Sequence, residues 1–597
     1  MASLSSSLFS NHRLFRNHDP TAIKSIEISN NASRVKCKAT KDNNFDHSNP
    51  KNHHHQILPS LARRNLLLGL GGLYGALHHH NDPLSSIAAP IPPPDLTACG
   101  PPDLPSGAKP TNCCPPQLSS NIINFTPPLN PTLRTRPAAH LVDATYVDNY
   151  NEAIRRMKAL PQDDPRNFTQ QANIHCAYCD GSYHQVGFPD LELQVHNSWL
   201  FFPFHRWYLY FYERILASLI KDRDPNFALP FWNWDAPDGM PIPNMYSDPM
   251  SPLYDALRNA NHQSPTPVNF NFNGVEDQTS SDEQVATNLN VMYRQMVSGS
   301  RTPSIFFGQP YRAGDDSAGG GSVENVPHGP VHVWTGDNTQ PNFEDMGSLY
   351  SAGRDPIFYS HHSNIDRMWE IWKTLGGRRQ DLTDPDWLES GFLFYDENKN
   401  LVNVKIMDCL DTRKLGYVYQ DVNVPWLQAK PTPRRSRALK ALKKTFGVAA
   451  AHASNGGGDV KFPVVLESSV RKVVKREKKG RSREEKEEEE EVLVIEGIEF
   501  ESDVAVKFDV YVNDEEEEGG GGPRKTEFAG SFVSVPHKHR HNDKKGKKKK
   551  MKTSMRIGIT ELVEDLGADE EDYVLVTLVP YFGKGHVTIG GISIEHH

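Results

Sequence analysis

The chain is poor in cysteine, carries no excess of positive charge and has no apolar run long enough to cross a bilayer as a stable helix. Each shortage excludes something. Seven cysteines in 597 residues are too few for a disulfide scaffold. Lys and Arg number 65 against 74 Asp and Glu, a formal net charge of −9, so no basic face is offered and no nucleic-acid partner is expected; the lysines at 544–550 are a local exception. The apolar stretch in RRNLLLGLGGLYGAL is short for a membrane span, so no stable membrane insertion is expected either. What remains is the composition of a globular protein, long enough for two to four domains.

The few cysteines are clustered. Cys99, Cys113, Cys114, Cys176 and Cys179 lie close together, and two disulfides among them are plausible in an oxidising compartment. The N-terminus bears on the compartment. Residues 1–18, MASLSSSLFSNHRLFRNH, are Ser-rich and free of acid, as organelle transit peptides are. Arg63 and Arg64 then precede the short apolar run and the small residues of SSIAAP, the pattern of a twin-arginine export signal cleaved near Ala88. Residues 1–88 therefore read as a bipartite plastid and thylakoid-lumen signal, the alternative being an extension with a chance arginine pair.

Residues 89 to about 135 are Pro-rich and read as an extended arm holding Cys99, Cys113 and Cys114. Helical periodicity follows in AAHLVDATYVDNYNEAIRRMKALP, FHRWYLYFYERILASLIKD, SDEQVATNLNVMYRQMVSG and PIFYSHHSNIDRMWEIWKTLG, enough for a four-helix bundle. A basic, Pro- and Gly-rich stretch at 430–459 reads as an exposed, cleavable linker. Beyond it, alternating runs such as EVLVIEGIEFE, VAVKFDVYVN, TEFAGSFVSV and YVLVTLVPYF predict a β-sandwich over 460–597. The runs REEKEEEEE, DEEEEGGGG and KKGKKKK read as solvated loops between strands.

Of 26 histidines, those at 53–55, 78–80, 537, 539 and 541 sit in polar or processed segments. Two other groups stand in different surroundings. NIHCAYCDGSYHQVGFPDLELQVHNSWLFFPFHRWY places His175, His184, His196 and His205 before a dense aromatic run. In ENVPHGPVHVWTG, His328 and His332 are four apart, on one face of a helical turn. GRDPIFYSHHSNIDRMW offers His361 and His362 on a helix started by Asp355 as N-cap and Pro356. Asp366 lies one turn beyond His362, where a carboxylate could orient a ligand imidazole. A nitrogen donor set without carboxylates favours copper, zinc or iron. A lone pair of this kind is more often a satisfied polar core; two clusters together suggest two metals.

The strings HCAYC, FFPFHRWYLYFYERIL, FWNWDAPDGM, DPIFYSHHSNIDRMW, LGYVYQDV and KFDVYVN resemble plant polyphenol oxidases (catechol oxidases), with their type-3 dicopper site. The resemblance implies a mainly α catalytic domain over 89–429, a four-helix bundle around two copper ions, followed by the C-terminal β-sandwich. It implies His175, His196 and His205 on one copper and His328, His332 and His362 on the other, with His184 and His361 as neighbours. It further implies a Cys179–His196 thioether, disulfides Cys99–Cys114 and Cys113–Cys176, and Cys409 as a buried thiol. The implied reaction oxidises o-diphenols to o-quinones with reduction of O2 to water, and Glu324 is the candidate proton acceptor.

Two departures from the family pattern bear on specificity. Leu349 stands where the family usually carries a gating Phe, which implies a wider entrance. Gly329 follows His328, where Asn accompanies better monophenol hydroxylation, so monophenolase activity is expected to be weak or absent. In the family the β-domain shields the site until an activating protease or detergent displaces it; VKFPVV at 460–465 is the candidate plug. Alternatives are a specialised oxidase such as an aurone-forming enzyme, an oxygen carrier, and a mononuclear zinc hydrolase.

Overall fold

The computed structural model describes residues 89–116, 121–276, 279–316, 319–431, 460–501, 503–514, 522–536 and 550–597, all within the unit Ser85–His597. The expected signal at 1–88, the linker from 432 to 459, the acidic run after Asp514, His537, His539 and His541, and the lysines up to 549 lie outside the described residues.

The arm is sewn to the body in two ways. Ile122–Asn124 pairs in parallel with Leu401–Lys405, and Arg134–Arg136 with Tyr417–Tyr419. Disulfides join Cys99 to Cys114 and Cys113 to Cys176.

Each of the four expected helical segments forms a helix: Ala144–Lys158, Phe201–Leu219, Ser281–Tyr293 and Ile357–Thr374. The first shows why its ends lie where they do. The Asp143 carboxylate accepts the Tyr146 N–H at 2.8 Å, and Arg155, Arg156 and Lys158 crowd the last turn, matching the helix dipole at both ends. Phe201–Leu219 is buried on nearly all sides, so its charged residues must be paired inside. Glu213 meets Arg134 and Arg136 at 2.9 and 2.8 Å, and Arg206 lies 3.6 Å over the Trp369 ring. Ile357–Thr374 packs along it. Pro356, not Asp355, is the residue at the N-cap of this helix, while Asp355 just before it, extended at φ −86° and ψ 121°, accepts the Ile357 N–H at 2.9 Å with its carboxylate.

The membership of the bundle differs from the sequence expectation. Phe168–Cys179, capped by Asn167, is a further helix, and it carries His175. It escapes periodicity because polar Gln171 and Asn173 are buried along with its apolar residues, leaving no stripe to detect. Ser281–Tyr293 carries no histidine and packs instead beside Pro425–Gln428 and Gly522–Arg524.

The C-terminal region is rich in β-strands. A five-stranded and a four-stranded sheet share a core of residues such as Leu493, Ile495, Phe508, Val510, Phe532 and Val576. In the second sheet Val506–Val512 pairs antiparallel with Phe528–Ser534, with Lys507 opposite Val533. One acidic run is not a loop: Arg483–Glu488 is a helix. Ser482 and Glu485 form a capping box, and Lys486 bridges Glu564 and Asp569 at 2.7 and 2.8 Å. The cap and the bridges offset the repulsion that motivated the loop reading.

The β-rich region is held against the helical core by hydrogen bonds. Lys507 Nζ donates to the Asn271 backbone oxygen and to Asn271 Oδ1, both at 2.8 Å. Arg294 donates to the Thr526 carbonyl at 3.0 Å, and the Gly558 N–H to the Gly299 carbonyl at 3.1 Å.

Candidate metal centre

Two groups of buried histidines lie back to back at the heart of the helical core. In one, His175, His196 and His205 present ligand atoms within 4.8 Å of one another; in the other, His328, His332, His361 and His362 do the same. The groups abut, with the His205 and His362 rings stacked at 4.0 Å and His196 and His328 at 5.8 Å.

Each element contributes by its local geometry. His175 comes from the Phe168–Cys179 helix and His205 from the first turns of Phe201–Leu219. His332 lies on the Gly329–Thr335 helix, and His328 just before it, after a bend at Val326 (φ −145°, ψ 126°). His361 and His362 lie on Ile357–Thr374.

Backbone carbonyls hold the Nδ1 side of most of these rings. His175 Nδ1 lies 2.7 Å from the Leu349 oxygen, His205 Nδ1 2.8 Å from Phe201, His328 Nδ1 3.0 Å from Glu324 and His332 Nδ1 2.6 Å from Met346. His196 Nδ1 faces Gln194 Oε1 at 3.3 Å. A carbonyl can only accept, so Nδ1 carries the proton and Nε2 is left with its lone pair. The Nε2 atoms of His175, His205, His328 and His361 are buried without a hydrogen-bond partner. Burial pushes His175 down to about 3 and His332 down to about 4, and drives His205, His328, His361 and His362 well below the usual range, so the rings are neutral.

This donor set fits copper. Orphaned neutral imidazole nitrogens buried among aromatic rings match a borderline metal, whereas hard cations require oxygen. His332 Nε2 and His362 Nε2 stand 3.3 Å apart. That is about the separation of two nitrogens bound tetrahedrally at roughly 2.0–2.1 Å to one ion. His361, expected as a neighbour of the ligands, stands beside them in the second group. Its Nδ1 accepts the Trp234 indole N–H at 3.1 Å, so in the neutral ring Nε2 carries the proton and offers no lone pair to a metal. His184 lies apart, on the hairpin strand His184–Gln185.

Asp366 does not orient a histidine. Its carboxylate accepts from Arg206 at 2.5 Å, Arg136 at 3.4 Å, Tyr417 at 2.6 Å and Tyr419 at 2.5 Å. Four donors fill its acceptor capacity, and it anchors a buried ionic network behind the site. Sequence spacing places it on the right face but cannot show these competing donors.

Cys179 is a buried thiol near the first group. Gln194 links its surroundings to His196, donating to the Cys179 carbonyl at 2.8 Å and accepting the His196 N–H at 2.9 Å.

The way in is closed. A cavity of about 30 Å³ is lined by His196, His328, Glu324, Gly329, Leu349 and, from the β-rich region, Val533 to Val535. That is far below the roughly 300 Å³ at which small-molecule pockets begin. The plug is therefore not VKFPVV: Val464–Val465 is a short strand paired with Thr588–Ile589. Nothing distinguishes Val533 from other alternating strand residues in sequence, so periodicity cannot find it. Ser348 Oγ donates to the Pro536 carbonyl at 3.3 Å beside the same closure. Glu324 is buried, with Oε1 accepting the Asn197 N–H at 2.5 Å and Oε2 the Gly321 N–H at 3.3 Å. Burial outweighs these bonds and pushes its carboxyl up to about 8.

Three family models match the chain: the common central domain of tyrosinase over 165–375, the polyphenol oxidase middle domain over 381–432, and the chloroplastic polyphenol oxidase C-terminal domain over 462–596. A chloroplastic polyphenol oxidase of Malus domestica is 61% identical over 570 residues, 94% of this chain and 92% of that one. The chain belongs to the plant polyphenol oxidases. It is likewise similar to an aureusidin synthase of Antirrhinum majus, 53% identical over 86% of this chain and 90% of that one. The solved structure of latent apple tyrosinase superposes with a TM-score of 0.73 at 61% identity, covering 80% of this chain and all of that one. As a polyphenol oxidase the protein is an oxidoreductase, and its C-terminal domain is that of a latent form.

Proposed function

We propose that this polyphenol oxidase converts o-diphenols to o-quinones with two copper ions per chain, and is inactive until Val533 is displaced. The observation that carries the reading is the pair of abutting, neutral histidine groups with Nε2 turned inward beneath a lid from the β-rich domain. His175, His196 and His205 would hold one ion, and His328, His332 and His362 the other, with His361 beside them. Bound copper would supply the redox chemistry through which electrons and protons from the diphenol reduce O2 to water.

The chain's own residues admit and orient the phenol. Glu324 lines the cavity and is the proton acceptor for a phenol hydroxyl, its burial making the ionised form a stronger base than an exposed glutamate. Leu349 and Gly329 line the same space. With a flexible side chain at one and none at the other, diphenols are oxidised well and monophenols weakly or not at all. A thioether from Cys179 would fix the His196 ring. Cleavage by a protease within 430–459 would release the lid. The names of relatives such as the Malus domestica protein support a chloroplast address, and Arg63 and Arg64 a thylakoid-lumen one.

A second reading, oxidation of one chalcone-type metabolite, is favoured by the similarity to aureusidin synthase. Oxygen uptake with catechol, a monophenol and a tetrahydroxychalcone, before and after limited proteolysis, separates the two. Catechol turnover that rises on proteolysis, with two coppers by metal analysis, is the expected result. Preference for the chalcone selects the second reading, and rapid monophenol turnover overturns the specificity assigned to Gly329.

A further inference from the structure

The helix that carries His175 ends in an arrangement that the copper chemistry does not use. Asp180 follows its last residue, at the end where unsatisfied carbonyls already concentrate negative potential. No basic residue lies in that last turn. The Asp180 side chain is 1% exposed, and both of its carboxylate oxygens are without a hydrogen-bond partner. Two residues on, the Ser182 hydroxyl is fully buried and equally without one.

Two more carboxylates converge on the same turn. Gly181, between Asp180 and Ser182, has φ +72°. A Cβ there would lie 3.2 Å from Asp103 Oδ2 and 3.3 Å from Glu192 Cδ. The arm is laid across the turn by its backbone, with the Asp103 N–H donating to the Asp180 carbonyl at 2.7 Å and the Gly100 N–H to the Ser182 carbonyl at 2.9 Å. Burial, then Glu192 and Asp103, push the Asp180 carboxyl well above its usual range. An ionised carboxylate in such a place requires a compensating charge.

We propose that Asp180, Asp103, Glu192 and the Ser182 hydroxyl form a site for a hard divalent cation of the calcium type, which ties the N-terminal arm to the end of the His175 helix. The donors are all oxygen, which selects calcium over copper or zinc. Calcium's tolerance of irregular geometry suits ligands spread over an arm, a helix end and a hairpin better than magnesium's octahedron does. The group is looser than either histidine group. Half-buried Glu192, the last residue of strand Phe188–Glu192, is the least buried of the four proposed ligands.

The test uses full-length, copper-loaded protein dialysed free of calcium. Calorimetric titration with calcium chloride is expected to give one ion per chain, with a dissociation constant of about 10⁻³ M or tighter, and the melting temperature is expected to rise with calcium. Asp180→Asn and Glu192→Gln are expected to abolish the heat and the rise while copper content stays unchanged. If Asp180→Asn does not fold, the Glu192→Gln comparison decides. Absence of binding in the wild type overturns the proposal and leaves Asp180 as a protonated acid, and so does an equal calcium response in the Glu192→Gln variant. Because the readouts are calcium and melting temperature, a failure here is distinct from a failure of the diphenol oxidase reading.

Discussion

Val533 fills the space that Gly329 leaves empty: a Cβ on Gly329 would lie 2.8 Å from Val533 Cγ1 and 3.1 Å from Val533 Cβ. The residue after a candidate copper ligand and the residue that closes the cavity are therefore fitted to one another. Gly329→Ala is expected to push the lid outward at a cost of about 1–3 kcal/mol. Activity of the intact chain should then rise by roughly 5- to 150-fold, with little change after proteolysis. The ratio of oxygen uptake before and after limited proteolysis is the measurement, and an unchanged ratio would show that the lid does not depend on the missing side chain.

His361 and His362 are adjacent, yet different outcomes are expected for them. His362 Nε2 stands 3.3 Å from His332 Nε2, whereas His361 is held by the Trp234 indole. His362→Gln should lose one copper and all diphenol turnover. His361→Gln should keep both coppers and lose only part of the turnover. Copper analysis of the two purified variants checks this; loss of one copper from His361→Gln alone would exchange their roles.

Asp366 is expected to control stability. Burial by itself would raise its pKa, but Arg206, Arg136 and the two phenols outweigh burial and hold it below its usual range. A depressed carboxyl stabilises the fold above its unfolded pKa of about 3.9, and that stabilisation is lost as pH falls through the folded value. Asp366→Asn removes the carboxylate that Arg206 and Arg136 share, leaving Arg206 with Glu370 and Arg136 with Glu213, and should cost about 1.5–3 kcal/mol. Thermal unfolding should show this at neutral pH, and the gap between variant and wild type should narrow in strong acid.

Lys507 is one of the anchors between the helical core and the β-rich region. It is fully buried; burial lowers its pKa while Asp509, 3.6 Å away, raises it. Its ammonium reaches Asn271 of the helical core through two bonds of 2.8 Å. Lys507→Met should weaken docking of the β-rich domain and raise the activity of the uncleaved chain. After cleavage at 430–459, the β-rich fragment should separate on gel filtration more readily than in the wild type.

Much of this architecture is legible in local sequence patterns. Period 3.6 locates four helices, period 2 locates most of the C-terminal strands, and the Asp355–Pro356 start is visible to within a residue. What escapes is whatever depends on burial or on distant partners. The His175 helix hides because it is buried on nearly every face. Asp366 has the spacing of a histidine partner but is taken by Arg136, Arg206, Tyr417 and Tyr419, which come from other segments. The tautomer of His361 is set by an indole more than a hundred residues away in sequence, which spacing cannot show. The helix at Arg483–Glu488 depends on a cap and on Lys486 reaching Glu564 and Asp569.

Lys507 and Val533 sit opposite one another in the antiparallel ladder. The ladder thus works as a depth gauge: one strand is pinned to the core at Asn271, and the rung it shares with its neighbour sets how far Val533 descends. A slip of one rung would put Ser534 opposite Lys507 and turn Val533 to the other face of the sheet. Closure of the site is in this sense a matter of strand counting, settled when the β-rich domain folds.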